Sequence, residues 1–214
     1  MFDKELFNKI CAGMCTFEEL ESFVTKIDKK EFDLENAFEK YYSIERILFV
    51  IDKYKSKQIN DKFLAYWANA YNWIIMSGFK VSYYKEKENR SMKEIVVAEI
   101  SDWLDSLSFF DDDEEFFDVN DYIKAFSTLD AIYKTTNEWK VEYAPTNEFC
   151  EENGDAWILF INAQKGRYLK IFYGGYGNYT IENQEPWTEN DIDKAIQSLK
   201  ANGYQEMPYG DFLD

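Results

Sequence analysis

Histidine is absent from this 214-residue chain. Its absence removes Ser-His-Asp and Cys-His nucleophile systems, His-ligated zinc or non-haem iron, and imidazole proton shuttles in one step. Arginine is scarce as well. Only Arg46, Arg90 and Arg167 offer a planar bidentate fork to a phosphate, which argues against phosphoryl transfer. The three cysteines, Cys11, Cys15 and Cys150, make neither a CxxC pair nor a disulfide framework, and this usage fits a reducing, cytoplasmic setting. Cys11 and Cys15 read as small apolar residues at a helix end rather than as a thiol pair or half of a metal site. The longest apolar stretches, such as Ile95 to Ala98 and Ala156 to Ile161, fall far short of the ~18 residues a bilayer span needs. Met1 to Ile10 mixes Asp3, Lys4, Glu5 and Lys9 with Phe2, Leu6 and Phe7, so it lacks the continuous apolar core of a signal peptide. Walker, dinucleotide, GxSxG and kinase signatures are missing too.

Apolar residues make up 46% of the chain and aromatics 19%. That is enough to offset the ordering entropy that keeps apolar-poor, highly charged chains disordered. Against 24 Lys plus Arg stand 41 Asp plus Glu, a formal charge of −17. A surface of that sign repels phosphate backbones and anionic membranes, so neither nucleic acid nor membrane is expected as a direct partner.

The N-terminal part reads as a helical bundle. Thr16-Phe17-Glu18-Glu19 is a capping box, followed by a stripe of Leu20, Phe23, Val24 and Ile27. Asp33 is placed to cap a long helix carrying Leu34, Ala37, Phe38, Tyr41, Ile44, Leu48, Ile51 and part of Tyr54. Asn60 or Asp61 begins another, with Leu64, Trp67, Ala68, Tyr71, Ile74 and Ile75 on its apolar side and Gly78 at its end. The polar run Lys85 to Arg90 has no apolar period and marks a linker or an exposed loop. Ser91-Met92-Lys93-Glu94 is a second capping box, opening a helix over 91–108, and Asp121 opens one over 121–135.

Beyond Trp139 the pattern changes to short, β-branched and aromatic runs at 139–143, 156–163, 168–173 and 178–182, separated by Pro and Gly turns. They predict an antiparallel β-meander of about four strands within 139–182, covered by a C-terminal helix over 189–201 that Gly203 closes, with Tyr204 to Met207 as a short edge strand. The expected fold is α+β. A helical region over 1–90 is followed by an acidic α+β region over 91–214, either as separate domains or as one continuous domain.

Charge is unevenly spread along the chain. Residues 1–90 hold 15 acidic and 15 basic side chains, whereas 91–214 hold 26 acidic and 9 basic. Within the latter, 91–138 carry 13 acids and 3 bases. The run Asp111-Asp112-Asp113-Glu114-Glu115 stands between Phe109-Phe110 and Phe116-Phe117. Consecutive carboxylates with so few cations nearby in sequence belong on the surface, because like charges in low dielectric repel strongly. A solvated loop that aids solubility is one reading. The other is an acidic rim around aromatic anchors, suited to fast capture of a basic protein partner. On that second reading the partner-binding residues are Asp111, Asp112, Asp113, Glu114, Glu115 and Asp118, joined by Glu151, Glu152 and Asp155.

Other chemistry fits less well. A calcium loop needs alternating oxygen ligands, a Gly at the sixth position and a Glu at the twelfth, and no Gly occurs between Gly78 and Gly154. Gly174-Gly175-Tyr176-Gly177 leads into a strand, not a helix N-terminus, so it reads as a hairpin connection rather than a phosphate cradle. In 168–173 one face carries Tyr168, Lys170 and Phe172; a sugar-stacking platform is one reading of it, and packing against the final helix and the helical part is the preferred one. Carboxylate pairs for acid–base work are too numerous to single one out. No catalytic, cofactor or metal residue is therefore predicted. In general type the chain is similar to bacterial immunity proteins and antitoxins that neutralise a basic toxin. A binding or inhibitor role is expected first. The alternative is a ligand-binding protein or enzyme with a carboxylate and tyrosine pocket between the helical part and the sheet.

Overall fold

A computed structural model of the chain describes residues 4–26, 34, 36–77, 91–110, 118–143, 156–173 and 189–209. Its elements are α1 (Lys4–Cys11), α2 (Phe17–Lys26), α3 (Ala37–Tyr41), α4 (Ile44–Lys55), α5 (Asp61–Ile75), α6 (Met92–Leu107), α7 (Val119–Tyr133), a 3-10 turn (Thr136–Glu138), β1 (Lys140–Tyr143), β2 (Ala156–Asn162), β3 (Arg167–Tyr173), α8 (Glu189–Ala201) and β4 (Gln205–Glu206). The class is α+β. The chain forms two compact units: Met1–Lys80 with Glu99–Ser127, and Val81–Ala98 with Thr128–Asp214. The division falls inside α6 and inside α7, not at the polar run 85–90.

The first unit is organised by α5, which packs against α1, α2, α3 and α4. Trp67, Ala68, Tyr71, Ile74 and Ile75 recur at three- and four-residue steps and are wholly buried. The Trp67 indole stacks on Tyr71 at 4.8 Å and donates to the Ile10 carbonyl at 2.9 Å. The Tyr71 hydroxyl donates to the Tyr41 carbonyl (2.8 Å) and accepts from the Ser43 amide (3.0 Å). Both polar tips thus reach a partner, as large amphipathic rings require when buried. Asn72 on α5 and Ser101 on α6 exchange hydrogen bonds at 3.2 and 3.0 Å.

Capping chemistry sets the helix starts. The Glu19 amide donates to Thr16 Oγ1 and the Thr16 amide to Glu19 Oε2, and Ser91 and Glu94 repeat the same reciprocal pair. Asn60 caps α5 by accepting from the Phe63 amide at 3.0 Å. The single long helix predicted to begin after Asp33 is two helices, α3 and α4. Ser43 is extended (φ −156°) and its hydroxyl accepts from the Arg46 amide, so it opens a fresh helix, while the buried Tyr71 holds its N–H. Asp33 lies outside the described residues, as do Gly78, the run 85–90 and Thr188. The helix predicted from Asp121 starts two residues earlier, at Val119, because Asp118 caps it: its Oδ1 accepts the Asn120 amide at 2.7 Å. Gly13 is obligatory. Its φ of +64° favours glycine, and a Cβ there would sit 2.5 Å from the Val50 side chain.

In the second unit the strand order is β1-β2-β3-β4. β1–β2 and β2–β3 are antiparallel, with Phe160 opposite Leu169 and Ile158 opposite Ile171 in full register. β4 pairs parallel to β3, so the sheet is mixed rather than an antiparallel meander throughout. The predicted strand at 178–182 lies outside the described residues. The parallel pairing follows from the crossover through α8, since a helix between two strands can return the chain in the same direction. Gly203 (φ +82°) ends α8 and delivers Tyr204 to the sheet. On one sheet face Leu159 and Tyr168 are buried under Ile192 and Ile196 of α8. The face of β3 that mixes Tyr168 with Lys170 is accordingly used for packing at Tyr168, whose hydroxyl reaches Glu206 at 2.7 Å. The β2–β3 turn is tied by buried Asn162, which accepts from the Lys165 amide (3.0 Å) and donates to Glu138 (3.3 Å), and Glu138 in turn pairs with Lys165 at 2.6 Å. No helix among the described residues is long and apolar enough to cross a membrane.

Candidate functional site

The acidic run is bounded by two residues whose surroundings are defined. On its N-terminal side α6 ends at Leu107, and the Ser108 hydroxyl donates back to the Asp105 carbonyl at 2.6 Å. The turn then separates the two phenylalanines. Phe110 is half-buried, edge-on to Tyr54 of α4 at 5.3 Å and to Tyr122 of α7 at 5.9 Å. Phe109 points away and is 58% exposed. The aromatic pair thus has two jobs, one ring fastening the chain and one left in solvent. Tyr122, which receives Phe110, is edge-on to Trp103 at 5.4 Å and shares a 3.0 Å hydrogen bond with Ser106. Burial pushes its phenol above the ordinary tyrosine range, and the Ser106 contact partly offsets this.

On the C-terminal side Asp118 is exposed and receives both the Asn120 amide and its side-chain Nδ2, at 2.7 and 2.8 Å. The Asn120 carbonyl oxygen accepts from Lys55 Nζ at 3.0 Å. This lysine from the first ninety residues therefore meets a neutral amide, not a carboxylate. The next acid along α7, Asp121, pairs with its own neighbour Lys124 at 2.8 Å. Of the nine residues predicted to meet a partner, the structure describes Asp118; Asp111, Asp112, Asp113, Glu114, Glu115, Glu151, Glu152 and Asp155 lie outside the described residues.

Regrouping charge by compact unit changes the picture drawn along the chain. The first unit holds 23 acidic and 13 basic side chains, a balance of −10, and the second holds 18 and 11, a balance of −7. The run 111–115 is grouped in the same unit as residues 1–80, which hold 13 acidic and 12 basic side chains, because that unit comprises 1–80 and 99–127.

A groove of about 1110 Å³ opens in this first unit. Its walls come from Cys15 and Phe17 at the start of α2, Tyr54 and Lys55 at the end of α4, the turn Lys57 to Asn60, the first residues of α5, and Val119 of α7. Long-range packing builds it, and no local pattern announces it. The one local signal is the end of α4, a Schellman motif in which the Gln58 amide donates to the Lys53 carbonyl and the Lys57 amide to the Tyr54 carbonyl. Lys57 occupies the left-handed position of that motif (φ +59°) where glycine is the usual residue.

Thiol chemistry has no footing at the groove. Cys11 and Cys15 are buried, and burial lifts both thiols from 9.0 to about 11, so they stay protonated and unreactive at neutral pH. Among the described residues no group of three or more Cys, Asp or Glu is arranged to hold a metal ion. No family model, curated protein or solved structure matches the chain.

Proposed function

We propose that this protein is a non-enzymatic acidic binding protein that occludes a cationic surface on a protein partner, in the manner of an immunity protein or antitoxin. The observation that carries the reading is the segment 91–138, with 13 acids against 3 bases, whose five-acid run lies between an anchored Phe110 and a capping Asp118. Exposed Phe109, two residues before the run begins, supplies an apolar contact beside it. Aromatic anchors within a charged rim give affinity from the ring and rate from the charge. The mechanism is competition: carboxylates at 111–115 and 118, with 151, 152 and 155, occupy the Lys and Arg site that otherwise holds phosphates.

The test compares the full chain with a variant neutralised at the run (D111N/D112N/D113N/E114Q/E115Q), each used at low salt to capture partners from the native cell lysate. Basic proteins retained by the first, released by about 0.3 M salt and lost in the second support the proposal. Capture that is indifferent to both salt and neutralisation overturns it.

A further inference from the structure

The described lining of the groove in the first unit has more cations than acids, the reverse of the chain as a whole. Among the described residues its lining carries two ammonium groups, Lys55 and Lys57, and one carboxylate, Asp61. Both lysines are exposed, and among the described residues no acid pairs with either. The bed is apolar: Phe17, Tyr54, Ile59 and Val119 are half-buried, and Phe63 is buried. Phe17 is further defined by Tyr66 at 5.3 Å and by Lys62 over its ring at 5.1 Å, so one wall is an ordered aromatic surface already accepting a cation.

Lys57 is the telling residue. A side chain with Cβ is disfavoured at positive φ, and glycine would relieve the cost at the end of α4. The lysine sits there nonetheless, with its ammonium directed to no carboxylate among the described residues and its residue lining the groove. We infer that this groove binds a small organic monoanion with an aromatic or aliphatic body, the charge held by Lys55 and Lys57 and the body lying on Phe17, Tyr54 and Phe63. Its volume of about 1110 Å³ lies just above the roughly 300–1000 Å³ of small-molecule sites, so a ligand of that size fits with room to spare. A polyanion is the wrong occupant. It needs many cations, and here the described lining offers two, on a chain of −17. The inference is separate from the proposed partner binding, because it uses the cations of the molecule rather than its acids.

The probe is 8-anilinonaphthalene-1-sulfonate, an aromatic monoanion, titrated into the folded full-length chain, with uncharged N-phenyl-1-naphthylamine as the matched control. One saturable site is expected for the sulfonate, tighter than for the control. In K55E/K57E, with the fold checked by a thermal melt because Lys55 also donates to Asn120, sulfonate affinity falls at least about tenfold while control binding is unmoved, as loss of two exposed charge contacts and their reversal implies. K57G separates binding from folding. Glycine relieves the positive-φ cost, so Tm stays level or rises by about 2–4 °C, while sulfonate affinity drops about threefold. Equal affinity for the charged and uncharged probes, or sulfonate binding that survives K55E/K57E, overturns the inference.

Discussion

Each unit of this chain is built internally by a different geometry, and both are net acidic, at −10 and −7. In the first, one helix collects the others: α5 buries its Trp67 and Tyr71 against α1 and α3, and each polar tip ends on a backbone carbonyl. In the second, a three-stranded antiparallel ladder extended by a two-residue parallel strand is closed on one face by α8. Contacts in the first join segments far apart in sequence, as in the 57-residue separation of Trp67 from Ile10. Those in the second are largely hairpin contacts. The acids of 111–115 belong to the first unit although they follow the second capping box by some twenty residues. A charge imbalance along a chain therefore says little about which body carries it, because α6 and α7 each begin in one unit and end in the other.

Core truncation gives the largest separation between the units. Trp67→Ala removes a wholly buried ring and strands the Ile10 carbonyl, and it should cost about 3–5 kcal/mol. Leu159→Ala beneath α8 should cost about 2–5 kcal/mol. Hydrogen exchange reads where each loss appears. Protection lost chiefly within 4–77 for the first variant and within 156–207 for the second confirms two separately stabilised bodies. Equal loss everywhere would show one cooperative unit and remove the distinction.

A smaller effect is expected from Tyr168→Phe. It deletes the hydroxyl that reaches the Glu206 carboxylate, for about 1–2 kcal/mol, and loosens the parallel β3–β4 pairing. A chemical-denaturation midpoint checks it, and an unchanged midpoint would mean β4 contributes no stability through this bond.

The smallest effect lies in alkali. Folded-state thiol values of Cys11 and Cys15 are raised, from 9.0 to about 11, so the neutral form is favoured in the fold. The resulting stability is complete below pH 9.0, where unfolded thiols are protonated too, and is lost as pH rises towards 11. Iodoacetamide at pH 8 should modify these thiols on the order of 100-fold more slowly in the native chain than in urea. Rapid native labelling of either would show that the first unit opens at its α1–α2 end.

Much of the helix pattern was readable in advance, because capping is a local code. Thr16 with Glu19 and Ser91 with Glu94 each place a hydroxyl and a carboxylate three residues apart, and that spacing alone closes the reciprocal bonds. The break at Ser43 was hidden. A continuous apolar stripe crosses it, and what holds the extended Ser43 is a tyrosine hydroxyl from position 71. The parallel entry of β4 was hidden for a similar reason, since two exposed residues have no period of their own.

The candidate site shows the same split. Acids at 111–115 and the two phenylalanines before them are visible in the letters, as is the capping power of Asp118. That Phe110 is spent on Tyr54 and Tyr122 while Phe109 stays free depends on which way a single turn faces. The groove leaves no trace in sequence, because its lining is gathered from residues 15 to 119. Residue order by itself was enough for the α+β class, and composition for the charge of −17 and the missing imidazole. Only tertiary packing decided which body bears the acids and where two lysines meet an apolar bed, because charge sums are additive along a chain while surfaces are made by segments that meet through space.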